Sequence, residues 1–210
     1  MLDRAYLKQS ALEKLRGRWK SGVILTCLYA LIVYGGSMVP GISPLVGIFI
    51  TPALGFGAAF CYLQLILSDS LETGDLFKGF SFYLKSLGMY WWRMLWIFLW
   101  VLLLIVPGLI KSIAYSQAFY IIADNPDVKI RDAMKISMKM TEGHKWELVM
   151  LDFSFFGWAF LAILTLGIGF LWLSPYMSAT YAATYLKLKE MSIQNGVCSE
   201  DMFNGKTRLV

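Results

Sequence analysis

Six long apolar stretches constrain the fold of this chain more than any other feature of its sequence. They cover approximately residues 21–39, 44–67, 90–106, 108–123, 148–166 and 171–186. A helix needs about 20 apolar residues to cross the roughly 30 Å hydrocarbon core of a bilayer, and most of the stretches reach that range. The predicted fold class is therefore all-α, a polytopic membrane helical bundle of about six transmembrane helices.

The composition agrees with a fold in a bilayer. Apolar residues make up 58% of the chain and charged residues only 16%, against roughly 45–50% and about 25% in soluble domains. A soluble domain of this size needs a more polar surface, whereas a bilayer allows the outer face to stay apolar. The composition thus argues against an ordinary soluble domain.

The third and fourth stretches form one continuous apolar run, 90–123, that needs a break. As a single helix this run would be about 50 Å long, too long for one crossing. Pro107 and Gly108 lie in its middle and favour a tight reversal. We predict a hairpin of two spans there. A re-entrant loop over 108–123 is the alternative, and a broken helix lining a cavity is a further hypothesis at Pro107-Gly108 and at Pro175.

The basic residues predict the orientation. Eighteen of the 19 Lys and Arg residues fall in four segments. These segments are the residues before the first stretch, the connection between the second and third stretches with the start of the third, the connection between the fourth and fifth, and the tail after the sixth. Positively charged connections stay on the cytoplasmic side. Six crossings place all of these segments inside, with both termini cytoplasmic. Because orientation accounts for the net charge of +5, we expect no nucleic-acid partner.

The predicted domain organisation is a single six-span domain over 1–190, followed by a short cytoplasmic tail over 191–210. Residues 1–20 are predicted to form a basic interfacial helix, and the segment from Ile130 to Met138 a second amphipathic one. The tryptophans that mark the predicted inner interface are Trp19, Trp91, Trp92 and Trp146. We therefore expect contact with membrane lipids, anionic at the cytoplasmic face, and allow for a protein partner.

Several separated motifs resemble those of a bacterial membrane-protein family, the domain of unknown function 975. The motifs are LFKGF at 76–80, VLLLIVPGLIKSIAYSQAFYIIADNPD at 101–127, SMKMTEGHKWELVMLDFSFFGW at 137–158 and LGIGFLWLSPYMSATYAATY at 166–185. The resemblance implies a multi-span protein of the bacterial plasma membrane. It implies no activity, because none is associated with the family.

Lys111 and Asp152 are the two charged residues that the predicted topology does not explain. Lys111 lies about one turn into the fourth span from the outer side, where its long stem can reach headgroups or where it can serve a functional site. Asp152 lies deeper in the fifth span, and its short side chain requires a partner. The arrangement would be either a polar clamp or a proton or substrate relay. The expected partners are Gln117 or Tyr115 of the fourth span, Tyr62 or Gln64 of the second, and Arg93 of the third.

Other motifs give no catalytic, metal or cofactor assignment. His144 lies near Glu142 and Glu147, but it is the only histidine in the chain, so an interfacial polar cluster is the simpler interpretation. Gly205-Lys206-Thr207 lacks the leading glycine and the strand of a phosphate-binding loop. We expect no cofactor, and the sequence favours a protein that is not an enzyme.

Two functions stay open. The first is a transporter-like or export-related protein with a polar intramembrane site formed by Asp152, Gln117, Lys111, Arg93 and Tyr115. The alternative is a non-transporting membrane partner, such as an assembly, regulatory or immunity-type subunit, that binds lipid or another protein.

Overall fold

Helices account for most of the chain in the computed structural model, which describes residues 3–39, 41–103 and 105–204. Within these residues 82% of the structure is helical and no strand occurs. The predicted all-α class is confirmed. The helices are α1 Arg4–Leu15, α2 Trp19–Ala30, α3 Ser43–Leu45, α4 Thr51–Ser68, α5 Lys78–Ser81, α6 Tyr83–Leu103, α7 Ile105–Ala114, α8 Ala118–Asp124, α9 Ile130–Thr141, α10 Lys145–Leu164, α11 Phe170–Gln194 and α12 Glu200–Phe203. Wider π-helical turns at Leu31–Gly35 and Val46–Ile50 extend α2 and join α3 to α4, and a 3₁₀ turn spans Thr73–Phe77.

The six apolar stretches pair into three helical hairpins. A Cβ atom on Gly36 would lie 2.8 Å from Val46 Cγ2, which places the end of α2 beside the start of the α3–α4 helix. Gly108 of α7 packs equally closely against Val101 of α6. Gly169 comes within the same range of Ala162 at the end of α10. Small residues allow helix backbones to approach in this way.

The helices of the third and fourth stretches do not end at Pro107-Gly108, where the hairpin turn was predicted. α6 ends at Leu103, and Pro107 and Gly108 lie in the first turn of α7. Proline fits there because the first four N–H groups of a helix have no helical acceptor. The fourth stretch is interrupted instead at 115–117, between α7 and α8. By contrast, α11 continues through Pro175 without a break.

The two predicted amphipathic helices form, and both pack against the sides of longer helices. α1 lies along α11 and buries Leu7, Ala11 and Leu15. The helix predicted over residues 1–20 ends earlier, at Leu15, and Trp19 already begins α2. α9 buries six of its twelve residues, among them Met134 and Ser137, chiefly against α8 and α11.

The connection after α4 doubles back along that helix. A Cβ atom on Gly57 of α4 would lie 1.8 Å from the Leu76 carbonyl oxygen, and one on Gly79 would lie 1.8 Å from the Ala53 carbonyl oxygen. The two backbones are therefore in direct contact over this segment. As a result, α6 begins beside the N-terminal half of α4.

Because the connection after α4 returns along that helix, some residues lie on a different side of the fold from the one predicted. Trp91, predicted at the inner interface, donates from Nε1 to the Ile48 carbonyl oxygen at 3.2 Å, although Ile48 lies near the predicted outer end of the second stretch. Likewise, Trp19 lines a pocket of about 510 Å³ together with Gly169 of the third hairpin turn. Positions predicted on opposite sides of the bilayer thus lie close together.

Among the described residues, two helical segments are long and apolar enough to cross a bilayer, Ser43–Ser68 and Lys145–Leu164. Trp19–Gly35 is apolar but shorter. The fourth stretch is divided into helices of ten and seven residues. Length and composition of the helices alone therefore identify two of the six predicted spans.

Candidate functional site

Asp152 lies at the edge of a partly open pocket of about 260 Å³ formed by five elements. α6 contributes Arg93, α7 and the following turn contribute Ser112, Ser116 and Gln117, α8 contributes Tyr120, α10 contributes Asp152, and α11 contributes Tyr181. Three of the five residues predicted for the polar site, Asp152, Gln117 and Arg93, therefore meet in one place. The interruption between α7 and α8 brings Ser116 and Gln117 to the pocket wall.

The Asp152 carboxylate is held by a residue that sequence reasoning missed. The Tyr181 hydroxyl donates a hydrogen bond to Asp152 Oδ1 at 2.8 Å. In the described part of the chain, no hydrogen bond or ion pair joins Asp152 to Arg93 or to Gln117. The side chain of Asp152 is otherwise exposed at the edge of the pocket, so one tyrosine orients it and the rest of the carboxylate stays accessible.

Arg93 has a cationic side chain without an anionic partner among the described residues. Its guanidinium carbon lies 5.1 Å from the centre of the Phe119 ring, which is a favourable cation–π distance. Its Nε is buried and has no hydrogen-bond acceptor. The residue as a whole is half-buried, and a buried donor atom without an acceptor costs free energy. The arrangement therefore favours water or a bound anionic group at Arg93.

Gln117 adds an unsatisfied acceptor to the same pocket. Its Nε2 donates to Ser116 Oγ at 3.1 Å, while its Oε1 is buried without a donor. Buried polar atoms in folded proteins are nearly always paired with protein or water. The pocket thus combines an unpaired donor, Arg93, and an unpaired acceptor, Gln117.

A second pocket, of about 270 Å³, adjoins the first. Arg93, Ser116 and Tyr120 line both. Its remaining walls come mainly from α2 and α4 and include Tyr29, Thr51 and Tyr62. Arg93 therefore lies between two polar cavities in the helical body.

Lys111 and Tyr115, the other predicted site residues, lie in a separate pocket of about 480 Å³. Lys111 Nζ is 3.7 Å from Met138 Sδ of α9 and 5.2 Å from the centre of the Trp100 ring. The predicted site is thus divided between two places. Lys111 lies beside a basic amphipathic helix instead of standing alone near a hairpin turn.

A further polar cluster joins the end of α8 to α11. Asp124 Oδ2 accepts a hydrogen bond from the Tyr185 hydroxyl at 2.8 Å and forms an ion pair with Lys189. Tyr181 and Tyr185 are one turn apart on α11, and each binds a carboxylate from a different helix. This repeated tyrosine spacing is the signal that could have indicated Tyr181.

His144 contacts Glu147 at 2.9 Å within the first turn of α10. In the part of the chain that the structure describes, no group of three metal-binding side chains comes together.

Comparison with known proteins assigns the chain to a family. A family model described as "Protein of unknown function (DUF975)" matches residues 85–192. The matched range includes every residue of the predicted polar site: Arg93, Lys111, Tyr115, Gln117 and Asp152. No curated protein and no solved structure matches the chain. The protein belongs to the DUF975 family.

Proposed function

We propose that the protein is an integral membrane protein of the bacterial plasma membrane, with both termini in the cytoplasm. Its hairpins expose many large apolar side chains, among them Leu31, Met38, Phe98, Leu102, Phe156, Trp158, Leu164 and Leu166. Soluble monomers rarely expose contiguous apolar patches above a few hundred Å². Hydrocarbon is the solvent that such a surface requires.

The finer proposal is a bundle of six crossings arranged as three hairpins. The separation of basic segments from the short hairpin turns supports it. The contact between Trp91 and Ile48 weighs against six full crossings, because it joins residues assigned to opposite sides of the bilayer. Chemical labelling of the hairpin turns tests whether they lie outside the cell, as six crossings require.

Within the bilayer, the protein is proposed to bind a small polar solute and to carry it across, as a transporter or export component. The single observation behind this proposal is that Asp152 and Arg93 line one pocket without pairing with each other. Charged side chains in membrane helices are costly and are typical of substrate or proton sites. Arg93 is suited to hold an anionic group of the solute, and Asp152 to exchange a proton or bind a cation.

Uptake into reconstituted vesicles tests this function. Vesicles containing the protein are offered radiolabelled acetate, succinate or inorganic phosphate. We expect uptake of at least one anion above that of empty vesicles, and its loss in both Arg93→Gln and Asp152→Asn. Lys129→Gln removes a positive charge outside both polar pockets and should leave uptake unchanged. Absence of uptake for all three anions would contradict the transporter proposal.

The alternative is a non-transporting membrane partner that binds lipid or another protein. The pocket around Lys111 supports this alternative, because aromatic and basic side chains meet there away from the polar cavities. Under this alternative, Asp152 and Tyr181 serve as a clamp between α10 and α11, and replacement of Asp152 changes stability without affecting any solute flux.

A further inference from the structure

The pocket around Lys111 has a wall of three tryptophans. Trp92, Trp96 and Trp100 follow one another at intervals of four residues and share a face of α6. The Trp92 and Trp96 rings pack edge to face, with centroids 6.0 Å apart. Met138 of α9 contributes to the opposite side. This gives a cleft of about 480 Å³ whose inner wall is largely aromatic and apolar.

Positively charged side chains from two helices stand at the same cleft. Lys111 of α7 lies 5.2 Å from the centre of the Trp100 ring, and Arg131 of α9 lies 5.1 Å from that of Trp92. Neither cation has a carboxylate within ion-pair distance among the described residues. The two tryptophan rings therefore fix two cations at opposite ends of the aromatic wall.

We propose that this cleft is a binding site for an anionic phospholipid. The negatively charged headgroup lies in the cleft between Lys111 and Arg131, which attract it from the two ends, and an acyl chain packs against the tryptophan rings. The inference rests on the proposed membrane location. It depends neither on the six-crossing arrangement, which would separate Lys111 from Arg131, nor on solute transport through the Arg93 pocket. Basic clefts between membrane helices suit anionic headgroups, and tryptophan suits the boundary between headgroup and acyl chain.

The chemistry of the cleft selects this ligand over others. A soluble anion such as inorganic phosphate would satisfy the two cations and leave the tryptophan wall without a partner. A zwitterionic lipid would cover the tryptophans and also carries a phosphate, but its own cationic group neutralises the headgroup and weakens the attraction to Lys111 and Arg131. An anionic phospholipid alone among these three satisfies both parts of the cleft.

Lipid titration of the detergent-solubilised full chain, followed by native mass spectrometry, tests the proposal. Dioleoylphosphatidylglycerol is the anionic probe and dioleoylphosphatidylcholine the zwitterionic one. The unmodified protein should bind the anionic lipid more tightly. The double variant Lys111→Gln/Arg131→Gln should lose most of that preference, roughly 25-fold, since each basic residue near an anionic lipid contributes about fivefold.

Matched variants make the test specific. Lys129→Gln/Lys139→Gln removes the same amount of charge from the two ends of α9, outside the cleft, and should keep the preference. Trp96→Ala should weaken the binding of both lipids by a similar factor. Arg131→Lys keeps the positive charge and should retain the preference for the anionic lipid. Thermal unfolding of each variant shows that it is folded. Three results would each overturn the proposal. They are equal binding of both lipids by the unmodified protein, an equal loss of the preference in the Lys129/Lys139 control variant, and displacement of the bound lipid by millimolar inorganic phosphate.

Discussion

Arg93 and Asp152 line the same pocket without forming an ion pair with each other. Asp152 accepts a hydrogen bond from Tyr181, and Arg93 lies over the ring of Phe119. Asp152 is exposed and Arg93 is half-buried, so the space between the two charges is open to water or to a polar solute. This relationship underlies the proposed solute site.

Replacement of Tyr181 by phenylalanine tests the support of Asp152. The hydrogen bond to a carboxylate is lost, and we expect a loss of about 1–3 kcal/mol in the free energy of unfolding. Unfolding of the purified protein by sodium dodecyl sulfate in mixed micelles measures the effect. Tyr176→Phe is the control, because the Tyr176 ring packs against Phe155 and its hydroxyl has no hydrogen bond among the described residues. Equal effects of the two substitutions would show that the Tyr181 hydroxyl does not matter.

The close contact between α4 and the returning connection predicts a strong steric effect. In Gly57→Ala the new methyl group meets the Leu76 carbonyl oxygen, and we expect a loss of at least about 3 kcal/mol or failure to fold. Gly55→Ala on the same helix has open space around the new methyl group. The control should be neutral or slightly stabilising. Similar melting temperatures for both variants would mean that the connection does not lie against α4.

The ion pair between Lys14 and Asp69 predicts a dependence on pH. The hydrogen bond from Lys14 lowers the pKa of the Asp69 carboxyl below its ordinary value. A carboxyl with a lower pKa in the folded state stabilises the fold above its unfolded pKa, and this contribution is lost as the pH falls through the folded pKa. The pair links the end of α1 to the end of α4.

Asp69→Asn is the variant that measures this contribution. Asp69 has a positive φ of 55°, a conformation that asparagine tolerates. The melting temperature of the variant should lie below that of the unmodified protein at neutral pH, and the difference should vanish in acid. A difference that persists unchanged at low pH would exclude the ion pair as its cause.

Cysteine labelling tests the predicted topology. In a chain whose native cysteines are replaced by alanine, Ile42→Cys and Ile168→Cys place thiols on exposed residues of two hairpin turns. Both should react with an impermeant maleimide on intact cells. Glu142→Cys, in a segment predicted to be cytoplasmic, should react only after lysis. Labelling of the turn positions only after lysis would refute the six-crossing arrangement.

Sequence reasoning succeeded where a local pattern sufficed. The apolar stretches predicted the all-α class, and the isolated charge of Asp152 marked a residue that does line a polar pocket. Tyr181 was missed because the rotation of α11 relative to α10 is set by packing between residues 29 positions apart. The turn at 115–117 contains neither glycine nor proline, so no local signal predicted it.

The division of the predicted site has a similar cause. Lys111 and Ser112 are adjacent on α7, yet adjacent helical residues point in directions about 100° apart, and the two line different pockets. The return of the connection along α4 depends on Gly57 and Gly79 meeting backbone from the other segment. Such long-range contacts are absent from any single window of sequence.

Water and small solutes should reach the pocket between Arg93 and Asp152, and thiol accessibility tests this most directly. Ser116 lines both polar pockets, whereas Ser137 is fully buried and donates to the Ala114 carbonyl oxygen at 2.7 Å. In the cysteine-free protein in vesicles, Ser116→Cys should react with a small charged methanethiosulfonate reagent, and Ser137→Cys should not. Equal and slow reaction of both thiols in folded protein would contradict an accessible polar pocket.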